Sequence, residues 1–216
     1  MQDLRRYIVI YISAFLLVSP DIHAQIAGIS CCDWMMLKRQ KLGQFQLMKD
    51  IGGDGVEMDM GPLGRRVMFE NRFRDNDKKT TQFRQTAERL GIRVSSIAMS
   101  GFFAQTLIDR KFDEQTLADG TKVCKEHTAS ESDANYRSLI ADCLNTMEAF
   151  GAKVAFLPLG GSGREWQKGE GPEYEALCSR LHTFGEMAHK RGLTIGIRTA
   201  MPAAFSKRML DDINSS

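Results

Sequence analysis

The sequence predicts an α/β protein built on a parallel sheet. Two observations carry that expectation. Short apolar runs alternate five times with amphipathic stretches of helical period along the 216 residues. Three of those helical stretches also end at a glycine, Gly91, Gly151 or Gly192, that feeds directly into the next apolar run. Strict alternation of this kind implies parallel strands joined by right-handed crossovers. Two architectures satisfy it: an open doubly wound sheet, and part of an eight-fold β/α barrel. No GxGxxG follows the first strand, so a dinucleotide fold lacks its marker. Periodicity leaves the two open.

The elements follow in order. Arg5 and Arg6 precede an apolar run at 7–18 broken by Ser13, and Ala24 is suited to the position before a cleaved bond. Residues 1–24 therefore read as a secretory signal peptide, too short for a comfortable membrane span, with an exported form starting at Gln25. A periplasmic or secreted domain over 25–216 is the expectation, with no membrane association after signal removal. Strands are predicted at 26–31, 56–60, 93–99, 153–159 and 193–199. Helices are predicted within 37–51 and at 80–90, 136–150, 173–191 and 203–213.

One segment breaks the pattern. Residues 110–134 are polar with almost no apolar spacing, the composition of a mobile solvated insertion or of a substrate-covering lid. The five cysteines contain no CxxC, so neither a zinc ribbon nor a thioredoxin-like motif is expected. His182 and His189 lie seven apart on one helix side, too far to share a metal easily, and are read as solvent-exposed. With 29 basic against 27 acidic residues and no basic stripe, a nucleic-acid partner is not expected.

The chemistry-bearing residues sit at predicted strand ends. In Gly55-Val56-Glu57-Met58-Asp59-Met60, side chains alternate faces, so Glu57 and Asp59 share one face and Val56, Met58 and Met60 the other. Two carboxylates on one face suit acid–base work, cation binding, or a structural bond to backbone or an arginine. Ser100-Gly101-Phe102-Phe103 offers a tight turn with aromatics that could wall a pocket. Gly160 and Gly161 let backbone amides approach an anionic or polyhydroxy ligand, or form a plain flexible turn.

Four stretches bring a family into view: Ile29-Ser30-Cys31-Cys32-Asp33-Trp34-Met35-Met36, the Gly-Val-Glu-Met-Asp-Met strand, residues 96–103 and residues 153–163. Together with Ile195-Gly196-Ile197-Arg198-Thr199, they resemble the sugar phosphate isomerase/epimerase family, whose fold is the xylose isomerase-like TIM barrel. The resemblance implies a partial (β/α)8 barrel with about five βα units, short of the roughly 250 residues of a full one. It implies proton transfer beside a carbonyl of a small carbohydrate, with Glu57, Asp59 and Arg198 as catalytic candidates. Trp34, Ser100, Phe102, Gly160 and Gly161 are the substrate-binding candidates.

Metal-dependent relatives end the fifth strand in a glutamate that holds a divalent cation. Arg198 stands there instead, and a guanidinium repels cations. No metal or other cofactor is therefore expected in this chain, and little isomerase activity from it alone. Arg198 suits a carboxylate or phosphate, or an ion pair with Asp59 or Glu57 across the barrel. A non-catalytic or degenerate carbohydrate-binding protein of the periplasm is the rival expectation. An endonuclease-like relative fits worse, for want of a clustered metal site. Strand edges left open would favour pairing with another chain, including a homo-oligomer.

Overall fold

Strand order decides between the two architectures. In the computed structural model, which describes residues 28–61, 71–103, 107–109, 111–160 and 164–214, seven strands fall into two sheets. The larger holds β1 (Ser30–Cys32), β2 (Gly55–Asp59), β3 (Arg93–Ala98), β6 (Val154–Pro158) and β7 (Thr194–Arg198), in that order. Every pairing in it is parallel. Neighbours in the sheet follow one another along the chain without reversal, as in a barrel, and the switch point of a doubly wound sheet is missing. The expected five βα units of a partial barrel are present. The expected signal peptide lies outside the described residues.

Helices cover one face of this sheet. After the short α1 (Asp33–Met36) come α2 (Gln44–Asp50), α3 (Asp77–Leu90), α4 (Ala129–Phe150), α5 (Pro172–His189) and α6 (Ala203–Ile213). The strand side chains that meet them are Val56, Met58, Ile97, Ala155 and Leu157, all at most 1% exposed. An aromatic chain joins the helices above: Phe45 stands edge-on to Phe83 at 5.9 Å, Phe83 to Phe73 at 5.0 Å, and Phe73 to Phe150 at 4.9 Å. Helices α3 and α4 end at Gly91 (φ 67°) and Gly151 (φ 71°), left-handed caps that turn the chain back into β3 and β6.

The other face is the one a barrel turns inward. Register places Cys32, Glu57 and Ser96 on one rung, and Asp59, Ala98, Phe156 and Gly196 on the next. Pro158 and Arg198 form the rung nearest the C-terminal rim. The predicted sharing of faces by Glu57 with Asp59 and by Arg198 with Gly196 follows this register.

The polar segment at 110–134 differs from expectation. It carries an antiparallel hairpin, β4 (Lys111–Thr116) with β5 (Lys122–Glu126), and α4 starts at Ala129 rather than at 136. Both departures have a local cause. Asp119-Gly120 supplies the turn, with Gly120 at φ 84°. Thr128 and Glu131 form a reciprocal capping box that starts the helix a full two turns early. The foot of the hairpin is fastened as well: Arg164 grips the Asp109 carboxylate with two nitrogens, at 2.7 and 3.2 Å.

Candidate functional site

The C-terminal rim of the sheet gathers the predicted residues in two groups. The first lies over β1, β2 and β3. Asp59 is fully buried, and its carboxylate accepts four hydrogen bonds: Arg39 Nε and Ser100 Oγ on one oxygen, both at 2.5 Å, and the amides of Gly61 at 2.7 Å and Ser100 at 3.1 Å on the other. Arg39 reaches back from the loop after α1, where Lys38 (φ 89°) and Gln40 (φ 52°) adopt left-handed backbone. Its guanidinium also donates to Ser100 Oγ at 3.2 Å and lies over the Trp34 ring at 5.2 Å. The expected ion pair of Arg198 with Asp59 is therefore replaced by one with Arg39.

Asp33 holds that loop in place. It is fully buried and accepts the Gln40 amide at 2.7 Å and the Asp59 amide at 3.2 Å. Gln40 in turn donates from its side chain to the Asp59 carbonyl at 3.1 Å. Burial, reinforced by the charge of Asp59, pushes the Asp33 carboxyl up to about 7 against the opposing bond from the Gln40 amide. The neighbouring Cys32 thiol is pushed up by burial and by Glu57 and Asp33, so it stays protonated and is a poor nucleophile. Cys31 points to the opposite face of the strand.

Glu57 is different. It is half-buried, and the one bond to it comes from Ser96 Oγ to Oε2 at 2.8 Å. Its other oxygen receives no donor among the described residues. Of the two catalytic carboxylates proposed from sequence, Glu57 has room to accept a proton, and Asp59 has its lone pairs occupied.

The second group lies over β6 and β7. Arg198 is exposed, and its guanidinium sits over the Phe103 ring at 5.2 Å, while Phe103 meets Phe156 at 6.0 Å. Arg198 makes no ion pair with any described residue. Phe103 is 39% exposed, whereas Phe102 is fully buried against Tyr136. This corrects the expectation for Phe102: the short 3-10 turn at Ser100–Phe103 sends it into the core and turns Phe103 outward. Ser100 is engaged with Asp59 rather than open to a ligand. Gly160 is buried, and a Cβ there would run into the carbonyl oxygens of Phe102 and Phe103. A glycine there permits the close approach of two loops. Trp34 is 43% exposed beneath Arg39. Gly161 lies outside the described residues.

Sequence reasoning missed Arg39, Asp33 and Gln40. Arg39 belongs to a cluster of polar residues after a four-residue helix, where no spacing rule points inward. Asp33 carried a signal, as a carboxylate directly after an apolar strand.

A divalent cation, as metal-dependent relatives use, does not fit these residues. No group of three or more His, Cys, Asp or Glu side chains converges among the described residues. Asp59 is already saturated, and Arg198 stands where the resemblance places a ligand. His182 and His189 are exposed, as expected, and His182 Nδ1 lies 3.0 Å from the Ile213 carbonyl at the end of α6.

Comparison with known proteins agrees with this architecture. No functionally curated protein matches the chain. Among solved structures, it superposes on a xylose isomerase-like TIM barrel protein from Mycobacterium smegmatis in complex with magnesium, at TM-score 0.56 and 13% identity, covering 88% of this chain and 62% of the other. A 3-keto-D-glucoside 4-epimerase from E. coli gives 0.56 and 14%, covering 87% and 64%. An L-ribulose 3-epimerase gives 0.57 and 15%, covering 88% and 58%. The chain thus spans less than two thirds of the length of these structures. The family description "xylose isomerase-like TIM barrel" matches residues 45–213. With most of its length so matched, the chain belongs to the xylose isomerase-like TIM barrel family.

Proposed function

We propose that this chain handles a small carbohydrate in the manner of a sugar isomerase or epimerase, by proton transfer beside a carbonyl with Glu57 as the base. The observation that carries the proposal is the open oxygen of Glu57 on the barrel-facing side, one rung below Asp59. A carboxylate that is half-buried and singly bonded keeps a lone pair for a substrate proton. Asp59, Arg39, Asp33 and Gln40 act as the frame that fixes the end of β2 and hence the backbone from which Glu57 projects. Exposed aromatic rings at the rim, Trp34 and Phe103, suit the apolar face of a sugar ring. Export through the N-terminal signal would place this activity in the periplasm or outside the cell.

A second reading has its own support. With Asp59 saturated and Arg198 where a metal ligand would stand, the group that polarises the carbonyl is not evident among the described residues. A carbohydrate-binding protein without turnover accounts for that. The two separate in one experiment: incubation of the 216-residue chain with keto- and aldo-sugars in D2O, followed by NMR. Deuterium entering the position beside the carbonyl, and lost in Glu57→Gln, supports the base. Saturable sugar binding with no exchange favours the second reading, and we expect exchange from these 216 residues to be slow at most.

A further inference from the structure

We infer that the helix side of the rim holds a second binding site: the open cleft between the starts of α2 and α3 takes a ligand with two linked phosphoryl groups. The inference does not depend on the carbohydrate reading, and its observations lie elsewhere in the molecule.

The cleft has a volume of about 450 Å3. Its charged lining comes from three separate segments: Lys41 from the loop before α2, Arg72 from the loop before α3, and Lys78 with Lys79 from the first turn of α3. No carboxylate lines it among the described residues. The nearest acids in sequence, Asp75 and Asp77, are not part of the lining, and Asp75 lies beside Arg74 instead. Lys41 and Lys78 make no ion pair with a described residue. Like charges around one concavity repel one another and focus their field on whatever anion enters. Spread over residues 41–79, these four cations form no basic run that the sequence would announce.

The walls are fastened from within. Lys79 is held with its ammonium 5.5 Å from the Phe83 ring and 5.8 Å from that of Phe73. Phe83 itself is buried and forms part of the lining. The Arg72 amide donates to the buried Gln40 Oε1 at 3.0 Å, and Gln40 Nε2 donates to the Asp59 carbonyl at 3.1 Å. These bonds tie the two loops of the cleft to each other and to the end of β2. Cations carried on fixed backbone lose less freedom when a ligand binds.

The kind and number of cations select the ligand. Three of the four are lysines, point charges that suit the spread oxygens of a tetrahedral phosphoryl group, whereas the planar edge of a carboxylate is met best by a guanidinium fork. One phosphoryl group carries about 1.5–2 negative charges near pH 7. That is too few to balance four cations, and two linked groups come close.

The test is calorimetric titration of the full chain, without divalent cations, with pyrophosphate, orthophosphate and ADP. Pyrophosphate should bind about ten-fold or more tighter than orthophosphate. Lys41→Ala and Lys78→Ala should each weaken pyrophosphate binding by about three-fold or more, and together they should erase the preference. Both lysines are exposed, and circular dichroism establishes that each variant is folded. Lys207→Ala is the control, an exposed lysine on α6 outside the cleft, and it should leave the preference unchanged. ADP binding as well as pyrophosphate supports an organic diphosphate as the ligand, and pyrophosphate binding alone supports an inorganic one. Equal binding of orthophosphate and pyrophosphate overturns the inference. So does a preference that survives the double variant or falls equally in Lys207→Ala, and so does a folded chain that binds none of the three.

Discussion

The two halves of the rim solve opposite problems with the same kinds of residue. Over β1–β3, a half-buried arginine meets a fully buried aspartate, and every lone pair of the carboxylate is used. Over β6 and β7, an arginine stands in solvent on an aromatic ring and makes no ion pair among the described residues. Both guanidiniums lie over an aromatic ring, Arg39 on Trp34 and Arg198 on Phe103, at the same 5.2 Å. What differs is the fate of the N–H edge. Where it is spent inside the protein the arginine is part of the framework, and where it is open the arginine belongs to the solvent-facing surface. The contrast predicts a steep gradient of stability effects.

The largest effect is expected at Arg39. Removing one partner of a buried pair leaves an uncompensated charge, which destabilises by roughly 3–5 kcal/mol. Arg39→Ala should lower the urea midpoint accordingly. A loss below about 1 kcal/mol at pH 7 would mean that the pair acts like an ordinary surface bridge and would break the contrast. Next is Gly160→Ala. A methyl group driven into the backbone of Phe102 and Phe103 should cost about 2–3 kcal/mol and disturb the ring on which Arg198 rests. Thermal unfolding measures the first, and sugar binding by this variant measures the second.

How much of this was legible beforehand depends on the range of the interaction. Strand faces were legible, because alternation is local: Val56 and Met58 turn to the helices, and Glu57 and Asp59 to the other side. Helix ends at Gly91 and Gly151 were legible for the same reason. The hairpin at Lys111–Glu126 was not, since its polar sequence carries no apolar period, although Asp119-Gly120 and the Thr128 to Glu131 box were usable signals. The partner of Asp59 was hidden for a different reason. Arg39 arrives through a loop with two left-handed non-glycine residues, Lys38 and Gln40, and its placement is decided by tertiary bonds from Asp33. Phe102 and Phe103 show the limit at one residue's resolution: adjacent aromatics in a tight turn must point apart, and composition does not say which goes inward.

A smaller effect should come from Asp33, and its sign sharpens the account of the framework. Its carboxyl is held up to about 7 in the folded chain by burial and by the charge of Asp59, against about 4 for an exposed aspartate. Below the ordinary carboxylate range both states carry the proton, and the residue contributes nothing to the pH dependence. As pH rises from about 4 to 7, the unfolded chain releases the proton first, so stability falls over that window and levels off above it. A fall of roughly 1–2 kcal/mol is expected between pH 5 and pH 7.5, flattened in Asp33→Asn. Stability that instead climbs over this interval would mean that the backbone donors of Gln40 and Asp59 outweigh burial.

The smallest effect is expected at Arg198, and it is the one that separates surface from framework. Arg198→Ala removes a charge that has no ion-pair partner among the described residues, so none of these is left buried and unpaired. What it removes is one cation–π contact, worth about 0.5–1 kcal/mol at an exposed site. Alanine also has a weaker preference for strands than a long side chain. Against these losses stands relief of an uncompensated charge at the sheet edge, so the net change should stay within about 0.5 kcal/mol. Urea unfolding of Arg198→Ala beside Arg39→Ala measures the ratio directly. A folded, nearly unperturbed Arg198→Ala chain leaves any change in sugar binding attributable to the guanidinium edge. A loss comparable to that of Arg39→Ala would show that Arg198 holds the sheet together, and the two halves of the rim would then be the same device.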